Sequence, residues 1–217
     1  LFTLLLAIRL FGDSPVDRSV SLALVSDDFG LADGPSWQGW YLTVPDPKAQ
    51  VVKRFITKQN KWNVLAQEKR FSASFFNHGK SYFADHGEGA IRCLDQNNKW
   101  SLVYQEDLTK DKGRRPNDLV VDRNGGIFYT LTRPGEVVYL SSNGKAKTVA
   151  SDVETPNGLI LSPDEKTLYV SEYVPKDIIS FQVGNEGALT NRKLFASMED
   201  GQPDLKGADG MCVDRAG

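Results

Sequence analysis

The sequence predicts an all-β fold, a β-propeller of four-stranded blades, and three observations support this. Short apolar or alternating segments are separated by polar turns along most of the chain, and none shows convincing helical periodicity. A polar, oxygen-bearing residue precedes a short apolar strand at Pro116-Asn117-Asp118 and again at Pro156-Asn157-Gly158. Asn117 and Asn157 are 40 residues apart, which is the length of one propeller blade. A β-sandwich would explain the strands but not this period.

Two further copies of the pattern extend the repeat. Asp33-Gly34 lies 84 residues before Asn117, close to two periods, and Asp209-Gly210 begins 52 residues after Asn157. We call these four dipeptides, at positions 33, 117, 157 and 209, the repeat motifs. They predict four full blades and the opening of a fifth.

The strands of the first two repeats follow from alternation and from turn residues. In the first repeat we expect strands over residues 19–29, 39–44 (stopped by Pro45 and Pro47), 51–57 and 62–65. In the second repeat we expect strands over residues 73–76, 81–84, 90–94 and 99–104.

The third and fourth repeats resemble each other closely. After Asn117, the third is expected to continue with strands over residues 127–131, 137–140 and 146–150. The fourth is expected to contain strands over residues 159–161, 167–171, 178–183 and 193–196. We therefore assign residues 19–217 to a partial propeller domain truncated at its C-terminus, and residues 1–18 to an N-terminal remnant of a signal peptide or linker.

Composition and charge favour a small-molecule partner. The 217 residues carry a net charge of −2 with no run of like charges, so nucleic acid is not an expected partner. The longest apolar run, Leu1 to Ile8, is too short to span a bilayer. We expect neither a membrane partner nor an obligate protein partner, and localisation stays open between secreted or periplasmic and cytoplasmic.

The cysteines and histidines show no spacing typical of a zinc site or a disulfide framework. Cys93 and Cys212 are interpreted as small buried hydrophobic residues, and His78 and His86 are expected to face solvent. The four tryptophans are expected to pack within or between blades, with pocket lining as the alternative for the first of them: Trp37, Trp40, Trp62 and Trp100.

The repeat motifs are the main candidates for chemistry. Asn-Gly and Asp-Gly are also common turn dipeptides, but each motif precedes the first strand of its repeat, and that strand lines the central channel of a propeller. The side chains of Asp33, Asn117, Asn157 and Asp209 would then converge at one mouth of the channel. Carboxylate and amide oxygens without sulfur or imidazole predict a hard cation such as Ca²⁺.

Other chemistries fit less well. Gly79-Lys80-Ser81 has the ending of a phosphate-binding loop, but no glycine stands at the required earlier position and no helix follows. No Gly-x-Ser-x-Gly sequence is present. Arg115, two residues before Asn117, is interpreted either as a substrate contact or as a solvated loop charge.

These motifs resemble those of the senescence marker protein/gluconolactonase family, which includes regucalcin and bacterial lactonases. Four stretches carry the resemblance: residues 32–37, 115–118, 156–164 and 207–211. The resemblance implies a six-bladed propeller in the complete protein, of which about four and a half blades lie in this chain. It covers the chain from roughly residue 22 onward.

The resemblance also implies roles for individual residues. Asp33, Asn157 and Asp209 would bind one divalent cation, and Arg115 and Asn117 would contact the substrate. Ca²⁺ is favoured, with Zn²⁺, Mg²⁺ and Mn²⁺ as alternatives. The family pattern usually has Glu where this chain has Asp33, so the shorter side chain would reach the ion through water or by an inward shift of its loop.

The implied function is metal-dependent hydrolysis of sugar lactones. The cation would polarise the lactone carbonyl and activate water, with Asp209 as the candidate general base. The alternatives are a non-catalytic propeller that binds calcium or a carbohydrate, and a related propeller hydrolase that acts on other esters.

Overall fold

The computed structural model describes residues 24–198 and 207–214, and it contains four separate antiparallel sheets of four strands each. Every strand pairs with its neighbour in the chain, so each sheet is a simple meander. The only helical elements in the described residues are two 3₁₀ turns, Thr57–Gln59 and Asn185–Gly187. The prediction of an all-β chain of four-stranded blades is confirmed.

The strands agree with the repeats. The first blade contains β1 (Ser36–Trp37), β2 (Tyr41–Asp46), β3 (Val51–Ile56) and β4 (Lys61–Gln67). The second contains β5 (Phe71–Asn77), β6 (Lys80–Asp85), β7 (Ala90–Leu94) and β8 (Trp100–Gln105). The third contains β9 (Pro116–Val121), β10 (Ile127–Leu131), β11 (Glu136–Leu140) and β12 (Ala146–Ala150). The fourth contains β13 (Pro156–Leu161), β14 (Thr167–Glu172), β15 (Asp177–Val183) and β16 (Leu189–Ser197).

The first strand of each blade faces the first strand of the next. Strand β9 lies against both β5 and β13, and β1 lies against β5. Apolar side chains of adjacent blades fill the space between the sheets, for example Leu119 and Tyr129 against Ala84 and Ile91. The outer strands β4, β8, β12 and β16 contain only exposed and half-buried residues. Burial on both faces explains why β10 does not alternate between apolar and polar residues, and its one hydroxyl-bearing aliphatic residue, Thr130, is buried with a hydrogen-bond partner.

The strand expected over residues 19–29 is wrong where it can be checked, because residues 24–29 form no strand. The backbone N–H groups of Gly30 and Leu31 instead donate to the carboxylate of Asp46, at 2.7 and 3.1 Å. The side chain of Asp46 thus accepts the backbone hydrogen bonds that a neighbouring strand would accept in a sheet. The first strand of the blade is the two-residue β1, which follows Asp33.

Two other boundaries differ from expectation. Strand β2 continues through Pro45, which pairs with Val52 of β3 and lies beyond the two residues paired with β1, Leu42 and Thr43. The carbonyl oxygen of Pro45 accepts a hydrogen bond from the backbone N–H of Asp33 at 3.0 Å. No strand of the described residues requires the N–H that proline lacks. Residues 210–213, expected to begin a fifth blade, form no strand and pair with none in the described part of the chain.

Burial corrects several side-chain expectations. Cys93 is buried as expected, whereas Cys212 is exposed. Trp62 packs against Phe29 and Phe55, and Trp100 against Phe71 and Phe83, so both are packing residues. The expectation for the other two tryptophans is wrong, since both are more than half exposed: Trp37 and Trp40.

The N-terminal remnant assigned to residues 1–18 lies outside the described residues. Within residues 24–198 and 207–214, no helix is long and apolar enough to cross a bilayer.

Candidate metal and substrate site

The repeat motifs lie at one end of the inner strands. Asn117 and Asn157 are the second residues of β9 and β13, and Asp33 precedes β1 by three residues. Asp209 belongs to the segment 207–214, which lies against β13 at Gly158. The pKa of Asp33, in the first blade, is raised by burial and then by the charge of Asp209, in this last segment, so the two carboxyl groups lie within electrostatic range of each other.

The glycines of the motifs permit close approach between neighbouring blades. A Cβ atom on Gly158 would lie 2.5 Å from the carbonyl oxygen of Asp209. A Cβ on Gly34, whose φ is +44°, would lie 2.2 Å from the Cα of Ala73. Gly158 has an ordinary φ and is needed for space alone, so the Asn-Gly motif here is more than a turn sequence.

Side-chain hydroxyl groups hold the backbone of three motif residues in place. Each hydroxyl belongs to the preceding blade and donates to the carbonyl oxygen of the motif residue in the next: Ser72 to Asn117 at 2.5 Å, Thr130 to Asn157 at 2.6 Å, and Ser171 to Asp209 at 2.8 Å. Thr130 and Ser171 are fully buried. The bonds fix the position of each motif residue relative to its neighbouring blade.

Three carboxyl groups at this end of the inner strands have raised pKa values, and burial is the largest cause for each of them. Burial, then the negative charge of Asp209, raises the pKa of Asp33 to about 6. Burial raises the pKa of Asp118 to about 7, and the charges of Asp33 and Asp209 add to this effect. Crowding by protein atoms, which limits hydration, raises the pKa of Asp209, although its side chain remains accessible. A cation among these groups would relieve their repulsion.

Asp118 is the member of this group that the sequence analysis missed. Its carboxylate accepts hydrogen bonds from the backbone N–H groups of Leu119 at 2.7 Å and Leu159 at 3.2 Å. The signal was present in the repeat, because the other three motifs have glycine at this position: Gly34, Gly158 and Gly210.

The asparagine side chains leave their oxygens available. The structure shows no hydrogen bond to the side-chain amide of Asn117 or Asn157 within residues 24–198 and 207–214. Both residues are partly buried. Their amide oxygens can therefore serve a ligand without first breaking a bond within that part of the protein.

Arg115 points toward the backbone of the second blade. Its guanidinium group donates from Nε to the carbonyl oxygen of Lys112 at 3.2 Å, and from Nη1 to the carbonyl oxygens of His86, at 2.8 Å, and Gly87. His86 is not solvent-facing as expected, since it is partly buried with Nδ1 at 3.3 Å from the carbonyl oxygen of Pro116. His78 is exposed, as expected.

The donor set suits a hard divalent cation. Aspartate and asparagine oxygens are the ligands that Ca²⁺ and Mg²⁺ prefer. Among the described residues, however, no three His, Cys, Asp or Glu side chains lie close enough together to hold a metal ion. A site here would therefore require the amide oxygen of Asn157 beside the carboxylates of Asp33 and Asp209, together with water or substrate oxygens.

The chain is similar in sequence to a known protein family. A family model described as the SMP-30/gluconolactonase/LRE-like region matches residues 31–217. The chain belongs to this family. The matched region contains all four repeat motifs and Arg115, so the family resemblance inferred from these motifs is confirmed.

Curated relatives in this family are lactonases. The gluconolactonase of Zymomonas mobilis is 26% identical over 241 residues, which cover 94% of this chain and 68% of that protein. A pentonolactonase of Haloferax volcanii is 30% identical over 49% of this chain and 38% of its own length. A lactonase of Staphylococcus haemolyticus is 31% identical over 45% of this chain and 32% of its own length. These relatives support assignment of the chain as a lactonase.

Solved structures agree on the fold. A gluconolactonase from Xanthomonas campestris superposes with a TM-score of 0.74 at 29% identity, covering 89% of this chain and 70% of that one. Regucalcin from Agrobacterium tumefaciens, described as a calcium-binding protein, superposes with a TM-score of 0.69 at 18% identity, covering 87% of this chain and 66% of that one. The second likeness shows the shared fold alone.

Proposed function

We propose that this protein hydrolyses sugar lactones with the help of one divalent cation, held by Asp33, Asn157 and Asp209. The observation that carries the proposal is the placement of oxygen donors from separate blades at one end of the inner strands, where burial and neighbouring carboxylates raise the pKa values of Asp33 and Asp118. Ca²⁺ is the favoured ion because the donors are all hard oxygens, and Zn²⁺, Mg²⁺ and Mn²⁺ are the alternatives.

The chemistry supplied by a bound divalent cation is Lewis acidity, which polarises a lactone carbonyl and makes water more acidic. Asp33 and Asp209 provide the negative charge that retains the ion, and Asn157 provides a neutral oxygen. The hydroxyl bonds from Thr130 and Ser171 keep the backbones of Asn157 and Asp209 fixed. Such preorganisation reduces the reorganisation needed when charge develops during the reaction.

Asp209 is the proposed general base. Its side chain is accessible, and its raised pKa makes it a stronger proton acceptor than an ordinary aspartate, although contact with a cation would weaken it. Asp209 would accept a proton from the attacking water as the water oxygen bonds to the carbonyl carbon. The ring C–O bond then breaks, the ring oxygen takes up a proton, and an open-chain hydroxy acid leaves.

Asn117 and Arg115 are the proposed substrate contacts. The amide of Asn117 has no hydrogen-bond partner within the described part of the chain, so it is available to a lactone oxygen. Arg115 carries a positive charge near the same channel mouth, and its guanidinium group is oriented by three backbone carbonyl groups. Its free edge would bind a substrate oxygen or an anionic substituent.

The test is hydrolysis of gluconolactone and pentonolactones before and after chelation, followed by return of each candidate ion. We expect chelation to abolish hydrolysis and one ion to restore it. Asp209→Asn should lower kcat by at least about 100-fold, whereas the matched control Asp164→Asn, an exposed turn residue, should be active. Unchanged hydrolysis after metal removal would contradict the proposal.

The same preparation distinguishes the non-catalytic alternative. A propeller that only binds calcium or a carbohydrate would be stabilised thermally by the ion, yet it would hydrolyse no lactone in the panel. A hydrolase specific for other esters would instead turn over aryl esters or phosphotriesters in preference to the lactones.

A further inference from the structure

A basic cavity lies beside the candidate site, between the second and third blades. Its volume is about 430 Å³, and its lining includes Arg70, His86, Lys112, Arg115, Thr132 and Arg133. Arg70 and Arg115 precede the inner strands β5 and β9, while His86 and Arg133 follow β6 and β10, which run antiparallel to them. The cavity therefore opens at the channel end that carries Asn117.

The cavity concentrates positive charge without a carboxylate in its lining. Within residues 24–198 and 207–214, the side chains of Arg70, Lys112, Arg115 and Arg133 form no ion pair. Four arginines in the same part of the chain do pair with carboxylates: Arg92, Arg114, Arg123 and Arg192. Of the other four, three line this one cavity. In a chain of net charge −2, such local concentration favours an anionic ligand.

Part of this cavity is preorganised. The three backbone carbonyl groups that hold Arg115 leave one edge of its planar guanidinium group open. The ring of His86 is fixed by its contact with the carbonyl oxygen of Pro116, so Nε2 is the ring nitrogen left for a ligand. Arg70, Arg115 and Arg133 line the same cavity as this ring, and their positive charges contribute, after burial, to lowering the pKa of His86. A fork of guanidinium groups around one space suits oxyanions.

The cavity is close enough to the candidate site for one ligand to reach both. Arg115 lines the cavity, and Asn117 lies two residues farther along the chain, a span of roughly 7 Å in extended backbone. Six-carbon sugar derivatives have similar dimensions between their two ends. A lactone ring beside Asn117 would therefore place a substituent on the far end of the sugar among the arginines.

We propose that the cavity binds an anionic substituent, a phosphate or a carboxylate, on the far end of the lactone substrate. This assignment rests on the proposed lactonase function for the position of the ring, and it adds a preference for acidic or phosphorylated sugar lactones. The four cationic side chains supply the charge, and Arg115 joins the anion cavity to the lactone site. The neutral Thr132 hydroxyl is already committed to the carbonyl oxygen of Pro156 at 2.7 Å.

Binding of stable ring-opened acids tests the cavity separately from catalysis. Calorimetric titrations in the presence of chelator would compare gluconate with 6-phosphogluconate and with glucarate, which carry a neutral, a phosphate and a carboxylate end. We expect at least one of the charged probes to bind 10-fold or more tightly than gluconate, with the preference decreasing as salt increases. The two charged probes decide between phosphate and carboxylate.

Variants assign the preference to the cavity. The double change Arg70→Gln/Arg133→Gln should remove the preference for charged acids. Lys112→Gln, at an exposed side chain, should reduce this preference, and it provides the test if the double variant fails to fold. Arg123→Gln, which changes an arginine outside the cavity, should leave the preference intact. Equal affinity for gluconate and both charged probes would overturn the proposal, as would a preference that survives in both cavity variants.

Two further outcomes are decisive. Inorganic phosphate that binds as tightly as 6-phosphogluconate would show a site for the free anion and overturn the assignment to a substrate substituent. A protein that shows the preference for charged acids but hydrolyses no lactone would contradict the proposed function and leave the anion cavity supported. Metal-dependent hydrolysis with identical kcat/KM for neutral and charged lactones would support the proposed function and contradict the anion cavity.

Discussion

The carboxylate of Asp118 accepts a hydrogen bond from the backbone N–H of Leu159, 41 residues farther along the chain. This bond joins β9 of the third blade to β13 of the fourth, one residue after Asn117 and two residues after Asn157. A second bond, from the backbone N–H of Leu119, holds the same carboxylate at 2.7 Å. The Asp118 carboxylate thus links the backbone next to Asn117 to the backbone near Asn157. It also brings a carboxyl group to this end of the channel.

Replacing Asp118 with alanine should destabilise the protein and weaken metal binding. The change leaves two backbone N–H groups without acceptors, at a cost of about 1–3 kcal/mol. Urea denaturation of the protein in chelator measures the loss of stability, and isothermal titration calorimetry with calcium measures the loss of metal affinity. Asp95→Ala, which removes an aspartate from an exposed turn, is the control. Equal calcium affinity in Asp118→Ala and wild type would contradict the assigned role.

The metal-free protein should lose stability as the pH rises from about 4 to about 8. The pKa values of Asp33 and Asp118 are raised to about 6 and about 7 from 3.8, so in this range the folded state retains protons that the unfolded state has released. By linkage, stability is then highest at the acidic end and falls as the carboxyl groups ionise. Burial, and after it the neighbouring carboxylates, disfavours the ionised forms; we expect a loss of about 2 kcal/mol in total, because both side chains are only partly buried and solvent offsets part of the cost. Urea melts in chelator measure the slope, and Asp118→Asn should flatten it.

Calcium should reverse this trend. Its stabilising effect is expected to grow between pH 5 and pH 8, since the ionised carboxylates bind it and the protonated groups do not. Parallel melts with and without calcium at each pH provide the comparison. A calcium effect that is equal at both pH values would show that these carboxyl groups do not bind the ion.

Substituting alanine for Gly158 should displace the segment that carries Asp209. The new Cβ would meet the carbonyl oxygen of Asp209 at 2.5 Å, a contact that requires backbone movement. We expect lactone hydrolysis and calcium affinity to fall at least about 10-fold, with a smaller change in Tm. Gly210→Ala is the matched control, because a Cβ there meets nothing within 4 Å. Full activity in Gly158→Ala would contradict this account.

Removing the hydroxyl of Thr130 should weaken the site without unfolding the protein. Thr130→Val preserves the shape but loses the 2.6 Å bond to the carbonyl oxygen of Asn157, at a cost of about 1–2 kcal/mol. Calcium affinity should fall, and Thr130→Ser should restore it. If serine and valine behave alike, the hydroxyl bond does not position Asn157.

Arg114 is expected to be important for stability. It pairs with Glu106 at 2.7 Å and Glu136 at 2.8 Å, and Glu106 also accepts a hydrogen bond from Tyr129 at 2.5 Å. Arg114→Gln leaves the buried carboxylate of Glu106 without its cation, so unfolding should become easier by about 3 kcal/mol. Lys110→Gln, which breaks the exposed pair with Asp107, should leave stability nearly unchanged, because solvent screens exposed ion pairs. Chemical denaturation of both variants provides the measurement.

Local features of the amino-acid sequence are enough to predict the blades and the position of the motifs. Alternation and turn residues are local, so most strands of the second, third and fourth blades lie within a few residues of the predicted bounds. The 40-residue spacing from Asn117 to Asn157 is a property of the repeat and needs no tertiary information. The first strand was misplaced because Asp46 satisfies the backbone of Gly30 and Leu31 by a side-chain contact that no pattern in that segment reveals.

Which side chains share a space depends on how the blades pack together, and no local pattern predicts it. The carboxyl group of Asp118 lies within electrostatic range of Asp33 and Asp209, and Arg70 shares a cavity with Arg133, although these residues lie far apart in the chain. Distances across a blade interface depend on how closely two sheets pack, and here glycines such as Gly158 set that distance. A repeat predicts that equivalent residues occupy equivalent positions. It does not predict the contacts of residues that have no counterpart in the other repeats.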